Sequence, residues 1–297
     1  MNDIKTTFDN FVSFIKHEEN LSSNTVEAYT ADIEAFILYL KSKDLNSVEE
    51  ISHLHIREHL ATLYNKLDKR SISRKTSSIR TFLKYLNSQG YIGSNVLSRI
   101  VHPKTPEKLM FALSVEEMNS FLSAIDSSST IGRRNLAIIE LLYGAGLRVT
   151  ELASIKIADL DLEQNLVKIL GKGRKERLSP FNQEASNTLK AYLEVRGQFV
   201  NADKPNDYIF LNRSGNNLNV RSIQRLTKFI SIKAGLLRNA TPHTMRHSYA
   251  THLLEAGASI KTVKELLGHA SIAATQKYTH LTIDKLAQMY KKAHPKA

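Results

Sequence analysis

The sequence predicts a mostly α-helical protein in two parts: a four-helix N-terminal domain, then an α-rich C-terminal domain with one small antiparallel β-sheet. Three observations predict it. Apolar residues recur at helical spacing through most of the chain. A single clear pair of short apolar runs, 166–170 and 177–181, flanks the turn Gly171-Lys172-Gly173. Near residue 100 the helical pattern fails, and Pro103 and Pro106 interrupt the chain.

The elements follow in order. An opening helix is expected over 7–17. From 24 to 40, Val26, Tyr29, Ile33, Phe36, Ile37 and Leu40 share one helical face, with Ser22 or Ser23 as cap. Ser47 and Glu50 stand at capping-box spacing before the run containing Leu54, Ile56, Leu60 and Leu63. Ile72, Ile79, Phe82, Leu83 and Leu86 line one side of a fourth helix over 71–88, which Gly90 is placed to stop. Four such helices pack naturally as a small bundle over residues 1–100. Residues 101–111 read as a linker. Helical signal returns at Ser114, again with capping-box spacing to Glu117, and the second domain spans 112–297. Further helices are expected over 133–143, 150–155, 183–196 and 220–234, and the last quarter of the chain is helical.

The composition narrows the function. The 297 residues carry a net charge of +12, which points to a polyanionic partner, nucleic acid before membrane. The excess is uneven. Residues 1–103 hold 13 Lys and Arg against 12 Asp and Glu, so most of it lies in the second part. Within the first part, Lys66, Lys69, Arg70, Arg74, Lys75, Arg80 and Lys84 face only Asp68 over 66–84, a local basic helix. The absence of cysteine excludes disulfides, thiol catalysis and cysteine metal sites, and fits a reducing cytoplasm. No apolar run approaches the roughly 20 residues needed to span a bilayer, and the opening residues lack the basic-then-apolar pattern of a secretory signal.

Four segments carry candidate chemistry. In Thr241-Pro242-His243-Thr244-Met245-Arg246, Pro242 suits the first helical position and Thr241 the N-cap. His243 and Arg246 then share a face of the first turn, where free amides already favour an anion, a good phosphate site. A self-satisfied histidine and a solvated arginine fit the same residues. In Gly144-Ala145-Gly146-Leu147-Arg148, the glycines let the backbone turn before a helix, with Arg148 at the junction. Arg148 suits a phosphate ligand or an arginine paired with Glu151. Lys172 sits at the hairpin tip beside Arg174 and Lys175, able to reach a substrate; a solvated basic turn reads the same, and the spacing is not that of a phosphate-binding P-loop. His269 follows Gly268, and Tyr278 lies in a polar stretch nine residues later.

The series Arg148, Lys172, His243, Arg246, His269 and Tyr278, with the strings GLRVTEL, GKGRKER, HTMRHSYATHLL and LLGHASIAATQKYTH, resembles the tyrosine recombinase (phage integrase) family, and its Xer branch most. The resemblance runs over essentially the whole chain. It implies a SAM-like core-binding domain and a catalytic domain that together clamp duplex DNA. It also implies that Tyr278 attacks the scissile phosphate to form a 3′-phosphotyrosyl link. Arg148 and Arg246 hold the non-bridging oxygens, His243 and His269 assist, and Lys172 protonates the 5′-oxygen, with no cofactor, metal or ATP. The basic helix, with Arg70, Arg74, Lys75, Arg80 and Lys84, and the hairpin residues Arg174 and Lys175 are the candidate DNA contacts. The tail 281–297, with Ile283, Leu286, Ala287 and Tyr290 at helical spacing, is expected to dock on a neighbouring protomer in a homo- or heterotetramer on two DNA sites. The branch further implies chromosome or plasmid dimer resolution, and a septal DNA translocase as partner. A mobile-element integrase, a type IB topoisomerase and a DNA-binding protein without catalysis are the alternatives.

Overall fold

The computed structural model describes residues 3–17, 21, 23–93, 96, 111–171, 176–201 and 204–268. Lys172, Arg174, Lys175, His269, Tyr278, residues 101–110 of the linker segment and the 281–297 tail lie outside the described residues. The chain divides into two units, Met1–Lys108 and Leu109–Ala297.

In the first unit, α1 (Ile4–His17), α2 (Ser23–Lys41), α3 (His53–Tyr64) and α4 (Lys69–Ser88) enclose one apolar core. α1 buries Ile4, Thr7, Phe11 and Ile15, one residue per turn. Phe11 meets Phe82 of α4 edge-on at a centroid distance of 5.0 Å, a preferred aromatic geometry. The expected box at Ser47 and Glu50 forms, but it caps a short 3₁₀ turn, Val48–Glu50, rather than the helix. The helix starts later, at a second cap, where the Ser52 hydroxyl accepts from the His55 backbone amide and Nδ1 of His55 accepts from the Ser52 amide. The sequence named only the first cap, and burial of Val48 and Ile51 commits it to a separate turn. α4 is capped by Asp68, whose Oδ1 accepts from the Ser71 amide at 2.8 Å. Gly90, at φ +76°, lies in the left-handed region just past its end.

The second unit is organised around α6 (Thr130–Gly144), whose last eight residues are all buried. α5 (Val115–Ser123), with the expected Ser114–Glu117 capping box, packs near its side. α8 (Gln183–Arg196) and α10 (Pro242–Glu255) pack along α6, and α9 (Val220–Lys233) and the short α7 (Val149–Ser154) complete the layer. α11 (Ile260–Leu266) packs on α10. The sheet has three antiparallel strands in the order β1 (Leu160–Asp161), β2 (Leu166–Leu170), β3 (Glu176–Pro180). β2 and β3 are the expected hairpin, shifted by one residue in β3. β1 was not foreseen, because two residues are too short to show a period.

Among the described residues, no helix is long and apolar enough to cross a membrane.

Candidate active site

The site is assembled where three segments of the second unit meet. The first is the turn between α6 and α7. Gly146 adopts φ +59° there, and a Cβ on it would lie 2.5 Å from the ring of Tyr249. Both the conformation and the space require glycine. That turn delivers Arg148 to the start of α7. The second is α10, which begins as its sequence dictates: Thr241 Oγ1 accepts from the Thr244 amide at 3.1 Å, and Pro242 follows the cap. Met245, Tyr249 and Leu253 are buried along one face. The third is β3, where Arg177 pairs across the hairpin with the buried Ile169.

Glu151 joins them. Its carboxylate is 5% exposed and takes three arginines. Arg148 Nη1 donates to Oε1 at 2.9 Å, and the Arg148 backbone amide donates to Oε2 at 2.8 Å. Arg177 forks onto both oxygens, Nη1 to Oε1 and Nη2 to Oε2, each at 2.9 Å. Arg246 Nη1 lies 3.9 Å from Oε2. It instead donates to the Gly146 carbonyl at 2.6 Å, while Nη2 donates to the Leu267 carbonyl at 2.7 Å.

Burial and charge act in opposition here. Burial pushes the Glu151 carboxyl up, but the bonds and charges of Arg177 and Arg148 outweigh it and hold the group below its ordinary value. Burial also pulls Arg246 down, to about 10, helped by the neighbouring Arg148 charge and opposed by Glu151. At neutral pH three cations therefore surround one anion. This net positive centre is suited to an anionic ligand.

Of the expected site residues, the structure brings Arg148 and Arg246 to one carboxylate. Arg148 is half exposed, while Arg246 is almost buried. His243 is exposed in the first turn of α10, one turn before Arg246. Arg177 was given no role by the sequence reading. Its signal was a charged residue at an inward position of a strand, beside the buried Ser179 in the alternation.

The basic helix of the first unit divides. Arg70 and Lys84 are exposed and Arg80 is half-buried, and among the described residues none of the three forms an ion pair. Arg74 and Lys75 turn to Asp32 of α2, which is 2% exposed. Lys75 Nζ lies 2.7 Å from Oδ1, Arg74 ion-pairs Oδ2, and the Ser78 hydroxyl donates to Oδ2 at 3.1 Å. Sequence spacing within one helix could not reveal a buried carboxylate on another.

Residues 112–284 match the phage integrase family, and residues 8–90 match the phage integrase N-terminal SAM-like domain. The chain belongs to the phage integrase family. Relatives named tyrosine recombinase XerC, from Oceanobacillus iheyensis, and XerD, from Listeria innocua, share 37% and 38% identity. The first match covers 100% of this chain and 98% of the relative, the second 100% of both. This integrase-family member is a site-specific tyrosine recombinase of Xer type, an enzyme of the DNA-cleaving and rejoining class; relatives of both names match equally, so identity does not separate them. Among solved structures, XerH bound to palindromic difH substrate in a post-cleavage complex aligns with a TM-score of 0.70 at 26% identity, over 95% of this chain and 83% of that one. A lambda integrase dimer bound to a COC′ core site aligns with a TM-score of 0.70 at 19% identity, over 91% and 96%, a likeness of fold.

Proposed function

We propose that this recombinase cuts and rejoins duplex DNA through a covalent 3′-phosphotyrosyl link to Tyr278. The observation that carries the reading is the convergence of Arg148 and Arg246 on the net positive centre around Glu151. Two guanidiniums stay charged at neutral pH and offer several donors in fixed geometry, which suits the two non-bridging oxygens of a phosphodiester. The phenol oxygen of Tyr278 attacks phosphorus, and the bond to the 5′-oxygen breaks. Lys172 supplies the proton that leaves with the 5′-hydroxyl. His243 and His269 donate to the same phosphate or take the phenolic proton. Rejoining runs the steps backward, with the phosphotyrosyl bond conserving the energy of the cut linkage.

The +12 charge suits duplex DNA. In this reading Arg70, Arg80 and Lys84 of α4, with the hairpin residues Arg174 and Lys175, contact the duplex. Arg74 and Lys75 combine any such contact with holding Asp32. The core-binding domain, residues 1–100, and the catalytic domain, 112–297, close on DNA about the 101–111 linker. Four protomers act on two sites, exchanging the 281–297 tail, and the product is a resolved chromosome or plasmid dimer in the cytoplasm. A septal DNA translocase is the proposed trigger. The DNA complexes of the XerH and lambda integrase neighbours support the DNA and assembly parts of this reading.

The test is covalent adduct formation on a nicked site selected from random duplexes. Tyr278→Phe is expected to bind with near-normal affinity and form no adduct. An adduct with that variant assigns the nucleophile elsewhere.

A further inference from the structure

We propose that Arg177 is a positioning residue of the cleavage reaction: it forks onto the Glu151 carboxylate, so that Arg148 and Arg246 present a larger net positive charge to the scissile phosphate. The inference rests on the functional reading above and adds to it a residue with no direct part in the chemistry.

The charges around Glu151 carry the argument. Three guanidiniums and one carboxylate leave a net charge of +2. A phosphodiester carries one negative charge, and a second develops as the phenolate adds to phosphorus, so two free cations match the transition state. Without Arg177 the same carboxylate would face only Arg148 and Arg246, and the net charge would fall to +1. The geometry assigns the neutralising role to Arg177. It alone forks onto both Glu151 oxygens, at 2.9 Å each, and its side chain is only 12% exposed. Arg148 is 42% exposed and meets one oxygen through its side chain. Arg246 gives its two terminal nitrogens to the Gly146 and Leu267 carbonyls.

The Arg177 guanidinium also lies close beside Gly268. A Cβ on Gly268, which sits at φ +68°, would lie 2.7 Å from Nε, 2.8 Å from Cδ and 2.9 Å from Cζ of Arg177. The guanidinium is thus clamped between the carboxylate and the turn that ends α11. The Leu267 carbonyl in that turn accepts from Arg246. One side chain on β3 therefore fixes the carboxylate at α7 and packs under the segment that orients Arg246.

The experiment compares single-turnover adduct formation on a nicked site with an ordinary scissile phosphodiester and on one with a neutral methylphosphonate there. The neutral linkage has one negative charge fewer to offset. Arg177→Met is expected to bind DNA nearly normally and to cleave the phosphodiester about a hundredfold more slowly, with a much smaller loss on the methylphosphonate. Arg177→Gln serves in its place if the methionine variant is not folded by circular dichroism. Adding Glu151→Gln to either variant restores the net charge to +2 and is expected to recover much of the phosphodiester rate. Equal losses on both linkages, no loss on either, or no recovery in the double variant overturns the proposal. Wild-type adduct formation reports separately on the functional reading.

Discussion

The phenolic oxygen of Tyr143 lies 2.8 Å from Nδ1 of His252, and Nε2 of the same ring lies 2.8 Å from the Leu113 carbonyl. A carbonyl only accepts, so Nε2 carries the proton. With one proton on the ring, Nδ1 accepts from the phenol. Burial raises the Tyr143 pKa and keeps it a donor. The Leu113 amide in turn donates to the Ser248 hydroxyl at 2.8 Å. α6 and α10 are thereby pinned to the segment that opens the second unit. Tyr143→Phe is expected to cost about 1–2 kcal/mol, since it leaves a buried acceptor unpaired. His252→Ala removes both bonds and costs more. Urea unfolding of the full chain measures both, and equal stability of Tyr143→Phe and wild type would count against the relay.

Gly146 provides a second test. Alanine there meets the Tyr249 ring at 2.5 Å and must hold φ +59°. The expected cost is about 3 kcal/mol, from overpacking and left-handed strain together. Because the Gly146 carbonyl accepts from Arg246, cleavage should slow beyond the effect of stability. Adding Tyr249→Leu relieves the clash but not the strain, so stability should return only in part.

The two arginines proposed to hold the phosphate should separate. Arg148→Ala and Arg246→Ala are each expected to slow adduct formation by about two orders of magnitude, the usual effect of losing a charge-stabilising donor. Arg148 is 42% exposed, so its loss should leave the unfolding midpoint nearly unchanged. Arg246 is buried and bonds two backbone carbonyls, so its loss should lower the midpoint as well. Identical stability losses would mean that the two side chains are equivalent.

His59 is expected to make the first unit acid-sensitive. Its ring lies 5.1 Å from those of Phe36 and Tyr39, and burial, then the Lys75 charge, lowers its pKa from 6.5 to about 4. Between those values the unfolded chain takes up a proton that the folded chain refuses. Stability is therefore full above pH 6.5 and falls as pH drops toward 4. From about pH 7 to pH 5 the loss should be roughly 2 kcal/mol. His59→Phe should flatten that part of the urea profile, and an unchanged slope would remove His59 as its source.

The helices were legible because each declares itself locally. α4 shows its apolar stripe in Ile72, Ile79, Phe82 and Leu86, and α10 shows its cap and first turn in Thr241-Pro242. The family was legible because its motif side chains stand in order along the chain. β1 was hidden by its length, and the Ser47 box misled because a capping box reports a helical start without reporting how far the helix runs.

By itself, the sequence determined the helical segments, the hairpin and the family, since capping and periodicity act over a few residues and the motif residues stand in order along the chain. Only the tertiary structure decided how the charges pair. Arg177 and Glu151 are separated by 26 positions, and Asp32 lies 43 positions from Lys75. Electrostatic pairing depends on distance in space and on the dielectric around each group, and neither exists until the chain has packed.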